Sequence, residues 1–132
     1  MEFRVVDPTN PHFALVGGEE AVQRLCRLFY EAMDTLPAAA GIRAMHPDLG
    51  AARAKLTLFL NEWLGGPKDY SPTHGHPRLR MRHARFPIGR PERDAWMTCM
   101  RWALEQVVPE PSLRESLELS FARTADAIMN RG

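Results

Sequence analysis

The sequence predicts an all-α fold, a single domain spanning residues 1–132. Apolar residues recur at helical spacing in four long segments, and no segment alternates convincingly at the period of two that a strand requires. Clusters of proline and glycine fall between the periodic segments. A chain of 132 residues is long enough to bury one core.

Residues 1–17 contain Asp7-Pro8 and Asn10-Pro11 and read as an extended lead-in. Gly17-Gly18-Glu19-Glu20 opens the first long helix, with its acids where the helix dipole favours negative charge. Its apolar face runs through Val22, Leu25, Cys26, Phe29, Met33 and Leu36, and Pro37 ends it. A second helix has Asp48 as its N-cap and carries Leu49, Ala52, Leu56, Phe59, Leu60 and Trp63 on one face. Gly65-Gly66-Pro67 stops it. Residues 67–76 form a polar loop that leads into a short helix starting at Pro77. Pro87, Gly89 and Pro91 separate that helix from the next, which Pro91 starts at its first position. Its apolar residues are Trp96, Cys99, Met100, Ala103, Leu104 and Val107. Ser112-Leu113-Arg114-Glu115 has the form of a capping box for the last helix, which carries Leu113, Leu117, Phe121, Ala125 and Ile128. There are no repeats and no low-complexity tracts.

The charge is nearly balanced, 17 Lys and Arg against 16 Asp and Glu, which argues against nucleic-acid binding driven by bulk charge. No apolar run approaches the roughly 18 residues of a membrane span, and Met1-Glu2-Phe3-Arg4 lacks the hydrophobic core of a signal peptide. Both cysteines, Cys26 and Cys99, sit on apolar helix faces. They read as buried, reduced thiols, which fits a cytoplasmic protein.

The chemistry concentrates in the run from Gly75 to Ile88, which holds two of the five histidines and four arginines. A short helix there brings Leu79, Met81, His83 and Phe86 near one another and splays the arginines to a rim. A histidine presented from an apolar wall beneath a cationic edge suits a flat apolar cofactor with negative groups at its margin. Haem fits that description, because imidazole is a common axial ligand of its iron.

The same run, followed by Glu92-Arg93-Asp94-Ala95-Trp96 and preceded by Phe29-Tyr30 and Trp63-Leu64-Gly65-Gly66-Pro67, closely resembles the group II truncated haemoglobins over residues 12–130. The resemblance implies a two-over-two helical sandwich around haem b. It implies that His83 is the proximal iron ligand through Nε2, with Nδ1–H left to donate to a backbone carbonyl. Tyr30, paired with Phe29, matches the distal tyrosine, and Trp96 the tryptophan whose indole N–H enters the distal pocket. Ala52 stands where many globins place a distal histidine or glutamine, which moves ligand control to Tyr30, Trp96 and His46. His46 aligns with an aromatic position before the distal helix. The segment is one residue short between His46 and Leu49, so two orientations stay open: a third hydrogen-bond donor to the ligand, or an outward, solvated imidazole. Leu56 and Phe59 are implied to wall the pocket, with Leu79, Phe86, Ile88 and Met100 among the haem contacts. Lys55, Arg82 and Arg80 are implied propionate partners, and Trp63 and Tyr70 line the haem margin. His74 and His76 with His83 form a weak His-x-His…His pattern for zinc, but Gly75-His76-Pro77 recurs in the family as a turn.

The leading expectation is a protein that binds dioxygen, carbon monoxide or nitric oxide reversibly at an open sixth iron site. Several donors slow ligand escape, which favours storage, sensing or chemistry over rapid oxygen transport. A second reading is a haem enzyme with peroxidase-like or nitric oxide-detoxifying turnover, supplied with electrons by an unidentified reductase. A third is a helical interaction module that has lost haem. A monomer and a homodimer are both compatible with the sequence.

Overall fold

A computed structural model of the chain describes residues 11–74 and 78–131, apart from the side chains of residues 73 and 74. The described residues are helical and contain no strand. In chain order the helices are α1 (His12–Val16), α2 (Gly18–Thr35), α3 (Ala40–Ala44), α4 (Leu49–Trp63), α5 (Tyr70–His74), α6 (Leu79–His83), α7 (Arg90–Val107) and α8 (Pro111–Ile128). A 3₁₀ turn at Pro37–Ala39 joins α2 to α3.

The long helices lie where the periodicity puts them. Leu36 is extended, φ −78° and ψ 126°, because the residue before a proline is driven out of the α region; α2 therefore ends at Thr35. Asp48 caps α4, its carboxylate accepting from the Ala51 amide at 3.0 Å. Other details differ. The end of the expected lead-in is a helix, α1, closed by Gly17 at φ 117°; the rest of that lead-in, residues 1–10, lies outside the described residues. Phe13 N donates to Leu64 O at 2.9 Å. Its ring lies over Gly66, where a Cβ would stand 2.6 Å from two ring carbons. Only a glycine admits that approach, so α1 is tied to the end of α4. The loop after Pro67 contains α5, held to α4 by Ser71, whose amide and hydroxyl both donate to the Glu62 carboxylate. The expected start of α6 at Pro77 lies outside the described residues. Pro91 is the second residue of α7, one turn position later than expected, and Glu92 reaches back to the Gly89 amide at 2.7 Å. The cap of α8 is Glu110 and not Ser112: its carboxylate accepts from the Ser112 and Leu113 amides at 3.0 and 2.7 Å.

α2 packs against α7 and α4, and α7 against α8, which makes the two-over-two sandwich. The fully buried side chains of α2 and α7, Val22, Leu25, Phe29, Met33, Met97, Met100 and Leu104, form the solid part of the core. Burying each contributes about 1.5–3 kcal/mol relative to exposure. Cys26 and Cys99 are both free and buried, as expected. Burial pushes each thiol up to about 11, so both stay protonated and unreactive.

Candidate functional site

The inward face of α4 is not packed solid. Of its apolar stripe only Leu60 is buried, while Ala52, Leu56, Phe59 and Trp63 are half-buried. The reason is a cavity of about 380 Å³, within the roughly 300–1,000 Å³ of ligand and cofactor sites. α4 forms one wall. The other walls come from α2 and the segment around α3, from α6 and the turn after it, and from α7 and α8.

α6 contributes Leu79, Arg82 and His83, and Phe86 and Ile88 follow in the turn. No residue of this short helix is buried, so packing alone does not hold it. Its entry is strained: Arg78 sits in the left-handed region at φ 45°, which costs a non-glycine residue roughly 1–2 kcal/mol. Asn130, two residues beyond α8, holds the turn instead. Its Nδ2 donates to the carbonyls of Phe86 at 2.9 Å and His83 at 3.2 Å, and its Oδ1 accepts from the Ile88 amide at 3.0 Å. The amides of Asn130 and Arg131 both donate to Ile88 O, at 2.8 and 3.0 Å. Asn130→Ala is expected to cost about 1–2 kcal/mol of stability. It should also speed hydrogen exchange at the Ile88 amide ahead of the α2 amides.

His83 Nδ1 lies 2.7 Å from Leu79 O. A carbonyl can only accept, so Nδ1 carries the proton of the neutral ring and Nε2 keeps a bare lone pair. His46 repeats the arrangement, with Nδ1 2.7 Å from Ile42 O, and it also lines the cavity. The inward orientation is therefore the one adopted. In the neutral ring, however, the inward nitrogen of His46 is an acceptor, and it makes no hydrogen bond to another described residue. The expected third donor exists only as the imidazolium.

Tyr30 and Trp96 supply the cavity's polar points. The Tyr30 ring meets Phe29 edge-on at 4.9 Å and His46 at 6.0 Å, while Trp96 is wedged between Phe29 at 5.1 Å and Phe121 at 5.8 Å. Neither the Tyr30 hydroxyl nor the Trp96 indole N–H is hydrogen-bonded to another described residue. Burial holds the phenol well above its usual range, so it remains a donor. Tyr30 also borders a second, more polar cleft with Arg27, Glu31, Asp34 and Arg53, and so stands between two cavities.

The cavity gathers His83, Tyr30, His46, Lys55, Leu56, Phe59, Trp63, Tyr70, Leu79, Arg82, Phe86, Ile88 and Trp96 from the expected set, together with Ala52. Phe29 and Met100 do not line it; both are fully buried behind the wall, where Phe29 supports the Tyr30 and Trp96 rings. Arg80 is absent from the lining, and His74 and His76 lie outside the described side chains. Among the described residues no three His, Cys, Asp or Glu side chains cluster as a metal site. The contribution of α8 was missed: Phe121, Thr124, Ala125 and Ile128 complete the lining. Arg93, also on the wall, ties α7 to α8 through Asp126 at 2.8 Å.

A flat, apolar, iron-bearing group fits this donor set: apolar cavity walls, an imidazole whose Nδ1 proton is committed to a carbonyl, and cations in the lining. The family description "Bacterial-like globin" matches residues 12–130. The chain belongs to the bacterial-like globin family. This globin is 38% identical over 115 residues to the group 2 truncated hemoglobin of Bacillus subtilis (strain 168), a match covering 86% of this chain and 85% of that one. Its fold matches the group II 2-on-2 hemoglobin of Agrobacterium tumefaciens with a TM-score of 0.89 and 41% identity, covering 100% of both chains. The cold-adapted truncated hemoglobin of Pseudoalteromonas haloplanktis TAC125 gives 0.89 and 39%, over 91% of this chain and 98% of that one. The resemblance to group II truncated haemoglobins thus holds in sequence and in fold, and membership implies a haem-binding globin. No described helix is long and apolar enough to cross a membrane.

Proposed function

We propose that this globin holds haem b in the cavity, with His83 Nε2 as the proximal iron ligand, and binds dioxygen, carbon monoxide and nitric oxide reversibly. The observation that carries the reading is the bare Nε2 of His83 on an apolar cavity that also holds two unspent donors, Tyr30 and Trp96. When bound, haem supplies an iron whose sixth position takes the diatomic ligand. The chain does the rest. The Leu79 carbonyl fixes the tautomer and the ring orientation of His83. Leu56, Phe59, Phe86 and Ile88 would exclude water from the bound group, and Lys55 and Arg82, cations of the cavity lining, would meet its carboxylates. Tyr30 and Trp96 donate to the partly negative end of a polarised dioxygen. A cytoplasmic location, and a partner reductase that keeps the iron ferrous, complete the proposal.

Absorption spectra of the haem-reconstituted protein test it. The ferrous form should be five-coordinate and convert to a stable oxygenated form in air. A chain that takes up no haem overturns the proposal and leaves a globin-shaped interaction module.

A further inference from the structure

We propose that His46 is a general base for small, weakly acidic ligands such as hydrogen cyanide and hydrogen peroxide, deprotonating them as they enter the cavity. The inference rests on the haem-binding reading above and adds a role for a residue that diatomic ligands do not need.

It stands on the hydrogen bond from His46 Nδ1–H to the Ile42 carbonyl at 2.7 Å. That bond commits the ring's one proton away from the cavity, so Nε2 is turned inward as a lone pair. An inward lone pair repels the negative end of a bound dioxygen, so neutral His46 adds nothing to its retention. It suits a ligand that arrives carrying a proton. The H–C bond of hydrogen cyanide, or an O–H bond of hydrogen peroxide, breaks as an N–H bond forms at Nε2. The products are the ligand anion and an imidazolium, with no change in electron count. The anion is the form that ferric haem accepts, and the imidazolium, now a donor, joins Tyr30 and Trp96 in stabilising it.

The charged and titratable surroundings permit this. On α2, the Tyr30 phenol is kept neutral by burial, and on α3 the Arg43 guanidinium is engaged by Asp34 at 2.9 Å and by the His46 carbonyl at 2.8 Å. α4 contributes Lys55, and Glu92 and Arg93 of α7 and Arg82 and His83 of α6 share the same cavity. Among the described residues, no carboxylate is hydrogen-bonded to the imidazole to compete for the transferred proton.

The test is the rate at which potassium cyanide binds the ferric holoprotein across the neutral pH range, in wild type, His46→Leu and His46→Gln. Carbon monoxide binding to the ferrous forms serves as the proton-free control. Both variants should bind cyanide about 100-fold more slowly than wild type near neutrality. Their carbon monoxide rates measure how far each substitution alters access to the cavity, and the cyanide rates are read relative to them. Nitrogen NMR of histidine-labelled protein should show His46 protonated at Nδ1 and bare at Nε2 before any ligand is added. Cyanide rates unaffected by either variant, with carbon monoxide binding intact, overturn the base role and leave the haem reading standing. A six-coordinate ferric spectrum that is lost in His46→Leu also overturns it, since His46 would then be an iron ligand. Failure to take up haem overturns both.

Discussion

His83→Gly is expected to reduce haem retention by more than about 100-fold, beyond the 10–100-fold typical of losing an outer-shell partner of a metal ligand. The expectation follows from the site's composition. The other inward imidazole, His46, comes from a different wall, and the cations of the rim are partly solvated, where ion pairs contribute at most about 1 kcal/mol each. His83 is only half-buried and α6 buries none of its residues, so its removal should leave the fold intact. Glycine in place of the ring opens a slot for free imidazole. Added imidazole should restore the five-coordinate ferrous spectrum in the variant. Haem transfer to a high-affinity acceptor, followed by absorbance, gives the rate. A variant that holds haem as tightly as wild type would remove His83 from the iron.

Tyr30→Phe should accelerate dioxygen dissociation about 10- to 100-fold, the effect of removing a hydrogen bond to a partly charged acceptor worth roughly 1.5–3 kcal/mol. The phenyl ring preserves the edge-on contact with Phe29 and the wall towards the second cleft, so cavity shape changes little. Association of carbon monoxide, which carries less negative charge, should be nearly unaffected. Stopped-flow displacement of dioxygen by carbon monoxide separates the two rates. Because burial keeps the phenol protonated throughout the neutral range, the wild-type rate should show no inflection from Tyr30 itself. Equal dissociation from the two proteins would assign the retention to Trp96 alone.

The four long helices and the Asp48 cap were legible because each writes its own local code of period, cap and breaker over 15 residues or more. The short helices α1, α3 and α5 were not. Five residues cannot establish a 3.6-residue period, and their stability comes from where they dock, as Phe13 does on Gly66. The site divides along the same line. Tyr30, His83 and Trp96 stood out through the resemblance, and the apolar stripe of α4 through its period. Periodicity reports that Ala125 and Ile128 face inward but cannot say whether they face packed side chains or a cavity, so the α8 wall went unread. The tautomer of His46 depends on a carbonyl four residues back and on the turn that follows α3, which no residue type encodes. Asn130 had no signal at all, because its three side-chain partners lie 42 to 47 residues earlier in the chain.

That separation also sets an order of events during synthesis. His83 leaves the ribosome 47 residues ahead of the side chain that fixes its turn. At roughly 5–20 residues per second, the shelf under the histidine waits several seconds, and longer while the exit tunnel hides the newest residues. A nascent chain can fold α2 against α4 in that interval, yet it presents His83 on an untethered turn. With His83 as the proposed ligand, firm capture of the cofactor would wait until the segment carrying Asn130 has emerged and α8 has docked.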